Sequence, residues 1–597
     1  MKPTDGTMSN RTVVYRYAVH GDLPEAAIAE LSRAHQLQIR LVEIERAYGE
    51  QVAAVWAAQP QVTAADQRTQ ECSGRVEELT RAAAAERTRT GRRRVAAATA
   101  QALQEARAAR REARTARREL QQRLYPVVKP QMAEAAAARA AAIKATYRLA
   151  IDGGLYWATY NEVVGQHRAT VARVTARRKQ GYRAEVRVRR SADTGTIAVQ
   201  LPRGQDDPPR TPGLLVTDAG RWRNIAQLRP WYPPEAWQRL SRGEQRRLAR
   251  GSFRFRVGSG AAAQLVEVPV IIHRPLPPEA DVAMVRITRE QVAGHFRAWI
   301  SVVARVPAPP VRVAGPTVAV HLGWRSLSDG ALRVAVVAGV SAPPGRLADV
   351  VRHQGSWLEV VLPGPWRAVA NQVDAVRSRR DLELEQLRDW LVAWTSAHPN
   401  AASVLPLPDE LRGWRSRRDF GELALRLRAT PSGQVAEAAQ RLEAWRRKDR
   451  HLWEWEANER RQLLDRRNDA WRRVAAWLTD QAGQVLVDSW TLTSLGAVPD
   501  VAAPDDQQAR AARANLRLAA PGTLRSAIEN AAQARGVPVN APKFGAATHH
   551  SCGSPLDVAD RMASVLVYCQ HCDVQVDQDY NTLSHLLDAG HPDTDTG

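Results

Sequence analysis

Two pairs of metal-affine side chains stand sixteen residues apart near the C-terminus: His549-x-x-Cys552, followed by Gly553, and Cys569-x-x-Cys572. Imidazole nitrogen and thiolate sulfur across a two-residue gap form the chelating turn of a tetrahedral Zn²⁺ site, and two such turns close on one ion. Gly553 and Pro555 follow the first pair, and the β-prone run Ser564-Val565-Leu566-Val567-Tyr568 leads into the second. Knuckle, strand, knuckle is the order of a zinc ribbon. His550 competes with His549 for the fourth ligand place, although His-x-Cys is tighter than knuckles use. The bland reading is three buried cysteines beside a chance pair of histidines.

A second chemistry is carried by acids at element ends. Asp488 closes the buried run Gln484-Val485-Leu486-Val487, and Asp579 opens the last helix. Carboxylates brought from strand ends and a C-terminal helix are how an RNase H-like fold gathers a two-metal phosphodiesterase site.

The elements that must position these groups belong to a 597-residue chain, long enough for roughly three to five domains. Lys and Arg number 85 against 63 Asp and Glu, a net charge of +22. Such an excess implies a polyanionic partner, with nucleic acid ahead of a membrane surface because the charge is not gathered into one amphipathic helix. Three of the four cysteines lie in the ribbon and Cys72 stands alone, which argues for a reducing compartment and against a disulfide scaffold. No apolar run is long enough to span a bilayer, and the N-terminus lacks a signal-peptide core, so the expected location is cytoplasmic, with no membrane partner.

Along the chain, residues 11–19 alternate as one strand, and residues 24–178 carry the three-and-four spacing of helices, predicted to break at Pro126 and Pro130. The Arg-dense stretch from Arg75 to Arg123 reads equally as a phosphate-facing helix pair and as a solvated charged hairpin. The aromatic cluster at Tyr156, Trp157 and Tyr160 reads as core packing first and as a base-stacking platform second. Period-two patterning from 182 to 306 predicts a β-barrel in which 182–189 forms a hairpin with 196–201, and 253–257 pairs with 264–268. Arg183, Arg187, Arg254 and Arg256 are its strand-borne candidates for nucleic-acid contact. After the Pro-rich linker 307–316, strands are predicted at 317–325, 331–337 and 484–490, with helices over about 365–480.

This layout resembles the RuvC nuclease core of type V CRISPR effectors and transposon-encoded RNA-guided nucleases. Their text runs Cys-x-x-Cys-Gly, Cys-x-x-Cys, then Asp-x-Asn-Ala-Ala; here the last motif is Asp579-Tyr580-Asn581-Thr582-Leu583. Their first core strand ends Asp-x-Gly-x-Arg, where this chain has His321-Leu322-Gly323-Trp324-Arg325, and a Glu commonly stands where this chain has Asp488. The histidine and the size look like the compact type V-M effectors, which bind DNA rather than cut it. The resemblance implies a multidomain α+β architecture, with a helical recognition domain inserted in an OB-like β-barrel wedge domain and followed by an RNase H-like (RuvC) α/β domain carrying a zinc ribbon. Its divisions would be a first wedge strand at 1–20, a helical recognition domain at 21–180 and a wedge β-barrel at 181–312. A RuvC-like domain at 313–545 would follow, with a helical insertion at about 365–480. A target nucleic-acid-binding zinc ribbon at 546–575 and a RuvC-like C-terminal segment at 576–597 complete it.

By the same resemblance His321 holds a degenerate first acid position beside Asp488 and Asp579. Imidazole cannot bridge two hard ions as a carboxylate does, so one Mg²⁺ on Asp488 and Asp579 is expected where the family has two, with structural Zn²⁺ on His549, Cys552, Cys569 and Cys572. Asp329 in the next turn is a poorly placed substitute acid. The expected partners are a guide RNA (crRNA, alone or with a tracrRNA) and target double-stranded DNA beside a T-rich flanking motif, one monomer per guide. The expected outcome is an R-loop and transcriptional silencing with little or no cleavage. Replacing His321 by Asp, alone or together with Asp488→Glu, is expected to restore some cutting. Two other readings stand beside this one: a live RuvC-like nuclease on target DNA or precursor guide RNA, and a non-guided protein that coats nucleic acid.

Overall fold

Alternation and helical spacing organise the chain into two compact units, Thr12–Gln291 with Phe296–Val306, and Met1–Arg11, Val292–His295 and Pro307–Gly597. The structure, a computed structural model, describes residues 10–90, 96–179, 184–188, 191–200, 226–229, 234–277, 279–292, 295–312, 314–355, 357–429, 433–489, 507–545, 547–556 and 566–590.

The first unit begins with strand β1 (Asn10–Val19) and four helices, α1 (Glu25–Ala57), α2 (Pro60–Thr90), α3 (Ala97–Asp152) and α4 (Trp157–Lys179). Helix α1 buries Ala27, Leu31, Ala34, Leu37 and Leu41, one stripe at three-and-four spacing. Contrary to the predicted break, α3 runs unbroken through Pro126 and Pro130. Both prolines are exposed, so water can satisfy the carbonyls they release, while Val128 between them is buried and holds the turn in place. Tyr156 and Tyr160 are buried, which assigns the aromatic cluster to packing.

After the helices come β2 (Gly195–Gln200), β3 (Ala226–Arg229), short helices α5 (Pro234–Arg239) and α6 (Arg242–Leu248), β4 (Arg250–Val257), β5 (Gln264–Ile271), β6 (Asp281–Val292) and β7 (His295–Pro307). Their sheet is nearly closed and barrel-like, in the order β2-β6-β7-β1-β5-β4-β3, so the N-terminal strand sits between β7 and β5. Tyr17, Ile197, Phe253, Phe255, Ile287 and Ile300 fill its core. Strands β4 and β5 pair as predicted, Phe253 opposite Val268 and Val257 opposite Gln264. The predicted hairpin is corrected: residues 184–188 form no strand, and β2 pairs with β6 from Gly195–Arg289 to Gln200–Met284. Alternation in 184–188 is carried by Glu and Arg on one side and Ala and Val on the other, too little apolar surface to prefer a sheet face.

The second unit is built on β8 (Thr317–Ser326), β9 (Leu332–Ala338), β10 (Val351–Gln354), β11 (Trp357–Leu362), β12 (Gln484–Val487) and β13 (Val539–Asn540), in the order β10-β11-β9-β8-β12-β13. Strands β8 and β9 are antiparallel, whereas β12 runs parallel to β8, Val487 opposite Val320. Strands β10 and β11 were not predicted. Helices α7 (Gly364–Ala397), α8 (Pro408–Gly413), α9 (Arg417–Ala429) and the first part of α10 (Ala436–Gln481) form a separate core around Leu391, Leu411, Phe420 and Leu442. The far end of α10 lays Trp471, Val474 and Leu478 under the sheet beside α12 (Pro521–Arg535), which follows α11 (Gln507–Ala519). On the opposite face lies α13 (Gln578–Gly590), whose Leu583 and Leu586 pack on Ala319, Val336 and Leu486. Hairpin β14 (Leu566–Cys569) and β15 (Val574–Asp577) leads into it. Among the described residues no helix is long and apolar enough to cross a membrane.

Candidate functional site

Strand alternation decides which groups meet on the α13 face. In β8, Val318, Val320 and Leu322 point into the α10 layer, so Ala319 and His321 point toward α13. Strand β12 ends beside β8 and delivers Asp488, and the first turn of α13 delivers Asp579. The three predicted residues are therefore brought together.

Their contacts are with one another and with arginines. His321 Nδ1 donates to Asp488 Oδ1 at 2.8 Å, and the Leu322 N–H donates to Asp488 Oδ2 at 2.6 Å. The other imidazole nitrogen, Nε2, lies 3.6 Å from Asp579 Oδ1. Arg325 Nε donates to that same Oδ1 at 3.0 Å, and Arg333 Nη1 donates to Asp579 Oδ2 at 3.1 Å. Arg333 also donates to Asp577 Oδ2 at 2.8 Å and, through Nη2, to Glu359 Oε1 at 2.5 Å. Tyr580 donates its hydroxyl to Glu359 at 2.6 Å and stacks on Trp357.

Burial alone would strip the proton from His321, but the charge and hydrogen bond of Asp488, with Asp579 behind, raise its pKa to about 10. At neutral pH it is an imidazolium. Desolvation would raise the Asp579 pKa, yet His321, Arg325 and Arg333 hold it well below the usual carboxylate range. Asp577 moves the other way, raised by burial and by the neighbouring Asp579.

Whether these residues fit Mg²⁺ follows from where the oxygens point. Mg²⁺ needs near-octahedral oxygen ligands at about 2.1 Å. Both oxygens of Asp488 and both of Asp579 already face N–H donors, and three of the facing groups are cations. The residues present do not fit the expected Mg²⁺ ion. Asp329 lies apart, paired with Arg352 and the Ala331 N–H, and is no substitute.

Sequence reasoning missed Arg333 and Glu359. A signal existed: an arginine inside Ala331-Leu332-Arg333-Val334-Ala335-Val336-Val337, a run otherwise wholly apolar and buried, must have an anionic partner.

The ribbon fits its ion. Nδ1 of His549 and the sulfurs of Cys552, Cys569 and Cys572 all lie within 4.8 Å of one another. Cys552 Sγ is 3.3 Å from His549 Nδ1 and 3.6 Å from Cys569 Sγ, and Cys572 Sγ is 3.4 Å from Nδ1. Zn–S and Zn–N bonds of about 2.3 and 2.1 Å make tetrahedral edges of roughly 3.5–3.8 Å, so the cluster is closed to about the right size. Gly553 and Asp573, each just after the second ligand of its pair, take left-handed backbone at φ 72° and 56°. The Ser554 N–H lowers the Cys552 thiol to about 6, while the hydrogen bond to Cys552 and burial push Cys572 up to about 12. His550 is not a ligand: its Nε2 faces Asp588 at 2.6 Å. Asn581 ties the knuckle to α13, its Oδ1 accepting the His550 N–H at 2.7 Å and its Nδ2 donating to the Thr548 carbonyl at 2.8 Å.

Of the arginine candidates, Arg183 lies outside the described residues. Arg187 is exposed on the non-strand segment, 3.8 Å from Glu185. Arg254 and Arg256 do sit on β4, Arg254 with Glu267 across the strand at 3.1 Å and Arg256 over the Tyr156 ring.

No family model matches the chain. The CRISPR-associated DNA-binding protein Cas12m of Gordonia otitidis is 33% identical over 602 residues, covering 97% of this chain and 98% of that one. The protein of the same name from Mycolicibacterium mucogenicum is 33% identical over 609 residues, 98% of each. Among solved structures, the Cas12f1-sgRNA-target DNA complex aligns over 97% of this chain and 98% of its own at 11% identity and a TM-score of 0.36. CasPhi-2 (Cas12j) bound to crRNA aligns over 72% and 86% at 12% identity and a TM-score of 0.29.

Proposed function

The chain belongs to the family of CRISPR-associated DNA-binding proteins named Cas12m, and from that membership we propose that it is an RNA-guided effector that binds double-stranded DNA and silences transcription without cutting it. The guide RNA, a crRNA alone or with a tracrRNA, is held one per monomer through its backbone. A short T-rich motif is read on the duplex, and base pairing reads the rest as the R-loop opens. A net charge of +22 supports this division of labour, since phosphate contact by counterion release carries affinity and no sequence.

The assignments of domain follow the sequence divisions. Residues 21–180 are the recognition helices, 1–20 with 181–312 the wedge, and 313–545 with 576–597 the RuvC-like body, interrupted by the helices of about 365–480. The ribbon at 546–575 contacts target nucleic acid, with Zn²⁺ held by His549, Cys552, Cys569 and Cys572 as a structural ion. Arg187, Arg254 and Arg256 contact phosphate from the wedge. The protein works in the cytoplasm.

One observation carries the absence of cutting: the oxygens of Asp488 and Asp579 are taken by His321, Arg325, Arg333 and a backbone N–H. Hydrolysis by two metals would need those oxygens as ligands for the ions that align the attacking and leaving groups. With them engaged, the R-loop persists, and a stable R-loop obstructs a polymerase.

The test is binding of the protein with its guide RNA to matched and scrambled duplexes in Mg²⁺. The expected result is retention of the matched duplex alone, with both strands intact. Equal affinity for the two duplexes would remove guidance from the account, and nicked strands would remove the claim of binding without scission.

A further inference from the structure

We propose that the carboxylate cluster at the ends of β8 and β12 is an ionic clasp and not a divalent-cation site: Arg333, Arg325 and His321 are resident counter-ions of Asp579 and Asp488, and they fasten α13 to the sheet.

The register of the sheet argues for it. Strands β8 and β9 slip by one residue between Leu322 and Arg325, and beyond this bulge Arg325 stands directly opposite Arg333. Two like charges across a ladder repel each other unless an anion lies between them. Asp579 supplies it, taking Arg325 on Oδ1 and Arg333 on Oδ2.

Burial argues the same way. Arg333 is 5% exposed, and a guanidinium charge that deep persists only beside anions. Asp577 and Asp579 face its Nη1 and Glu359 faces its Nη2, while the Nε–H finds no hydrogen-bond partner among the described residues. Asp577 does a second job, its Oδ1 accepting the Asp579 N–H at 2.9 Å at the start of α13. The helix that carries Asp579 is thereby pinned at its first turn, and Asn581 two residues further on holds the first knuckle to it.

The clasp is read without nucleic acid, so its failure would leave guided DNA binding untouched. The zinc-loaded full-length protein is unfolded thermally while Mg²⁺ is titrated to about 10 mM, where a site of ~1 mM dissociation constant raises the midpoint by mass action. Mn²⁺ retention is measured in parallel from the resonance of the free ion. The clasp predicts a wild-type midpoint that Mg²⁺ does not move, no Mn²⁺ retained beyond what Asp579→Asn retains, and a lower midpoint for Asp579→Asn. A Mg²⁺-dependent rise that Asp579→Asn cancels, or one Mn²⁺ held per chain, would overturn the proposal. So would an Asp579→Asn protein as stable as the parent. The wild-type titration decides the metal question even where the variant does not fold.

Discussion

Replacing Asn581 by alanine separates the latch from the metal it serves. Asn581 is 4% exposed and makes two hydrogen bonds to the backbone of the first knuckle, one from the His550 N–H and one to the Thr548 carbonyl. The carbonyl keeps a second partner, His585 Nε2 at 3.0 Å, so its loss is that of one ordinary hydrogen bond, about 1 kcal/mol. Among the described residues the His550 N–H has no other acceptor; left unpaired it costs about 1–3 kcal/mol, and the lower end applies because the His550 residue is exposed and water can reach it. Together these give about 2 kcal/mol, or between tenfold and a hundredfold, the range that partners behind metal ligands usually command. The assay is competition for Zn²⁺ against a chromophoric chelator, read on full-length protein. Zinc affinity within twofold of the parent would refute the latch, because the four ligands themselves are untouched.

Further outcomes follow from the same contacts. The His321 pKa of about 10 lies above the ordinary 6.5, so the stability it lends is complete below pH 6.5 and is lost as pH rises through 10. The slope is about 1.4 kcal/mol per pH unit across that window, and denaturant unfolding of His321→Gln between pH 6.5 and 10 should lack it. Trp471, fully buried and donating to the Ala519 carbonyl at 3.1 Å, should cost about 3–5 kcal/mol as Trp471→Ala, seen as a lower denaturant midpoint. The expectation that His321→Asp revives cleavage is revised: Arg325 and Arg333 still hold Asp579, so the single variant should leave a matched duplex intact, and strand scission with Mg²⁺ would refute that.

Much of this site was legible before any coordinates. Ligand spacing alone located both knuckles, because chelation demands short loops whatever the surrounding fold. Asp488 and Asp579 were found because a buried apolar run that stops at an acid, and a helix that opens on one, are local patterns. Spacing alone favoured His549 over His550, and Asp588 on α13, which draws the second ring away, agrees with it. Pro126 and Pro130 misled because what decides them is not local. Proline rules count a lost N–H and a steric clash in one helix, whereas the helices α1 and α2 that pack along α3 are contributed from elsewhere in the chain.

The arginine at 333 marks where reading by motif stops. A strand-end histidine invites an explanation by subtraction, in which one carboxylate was lost and a metal with it. The cross-strand register supplies something the motif does not contain: a second guanidinium placed opposite Arg325, deep enough that it could not stay there without Asp577, Asp579 and Glu359. If His321 alone disabled the site, Arg333 would be free to be any apolar residue, as its neighbours in β9 are. That it is a buried cation means the carboxylates have acquired a different counter-charge, and restoring one acid would then add repulsion to a cluster whose remaining anions are already spoken for.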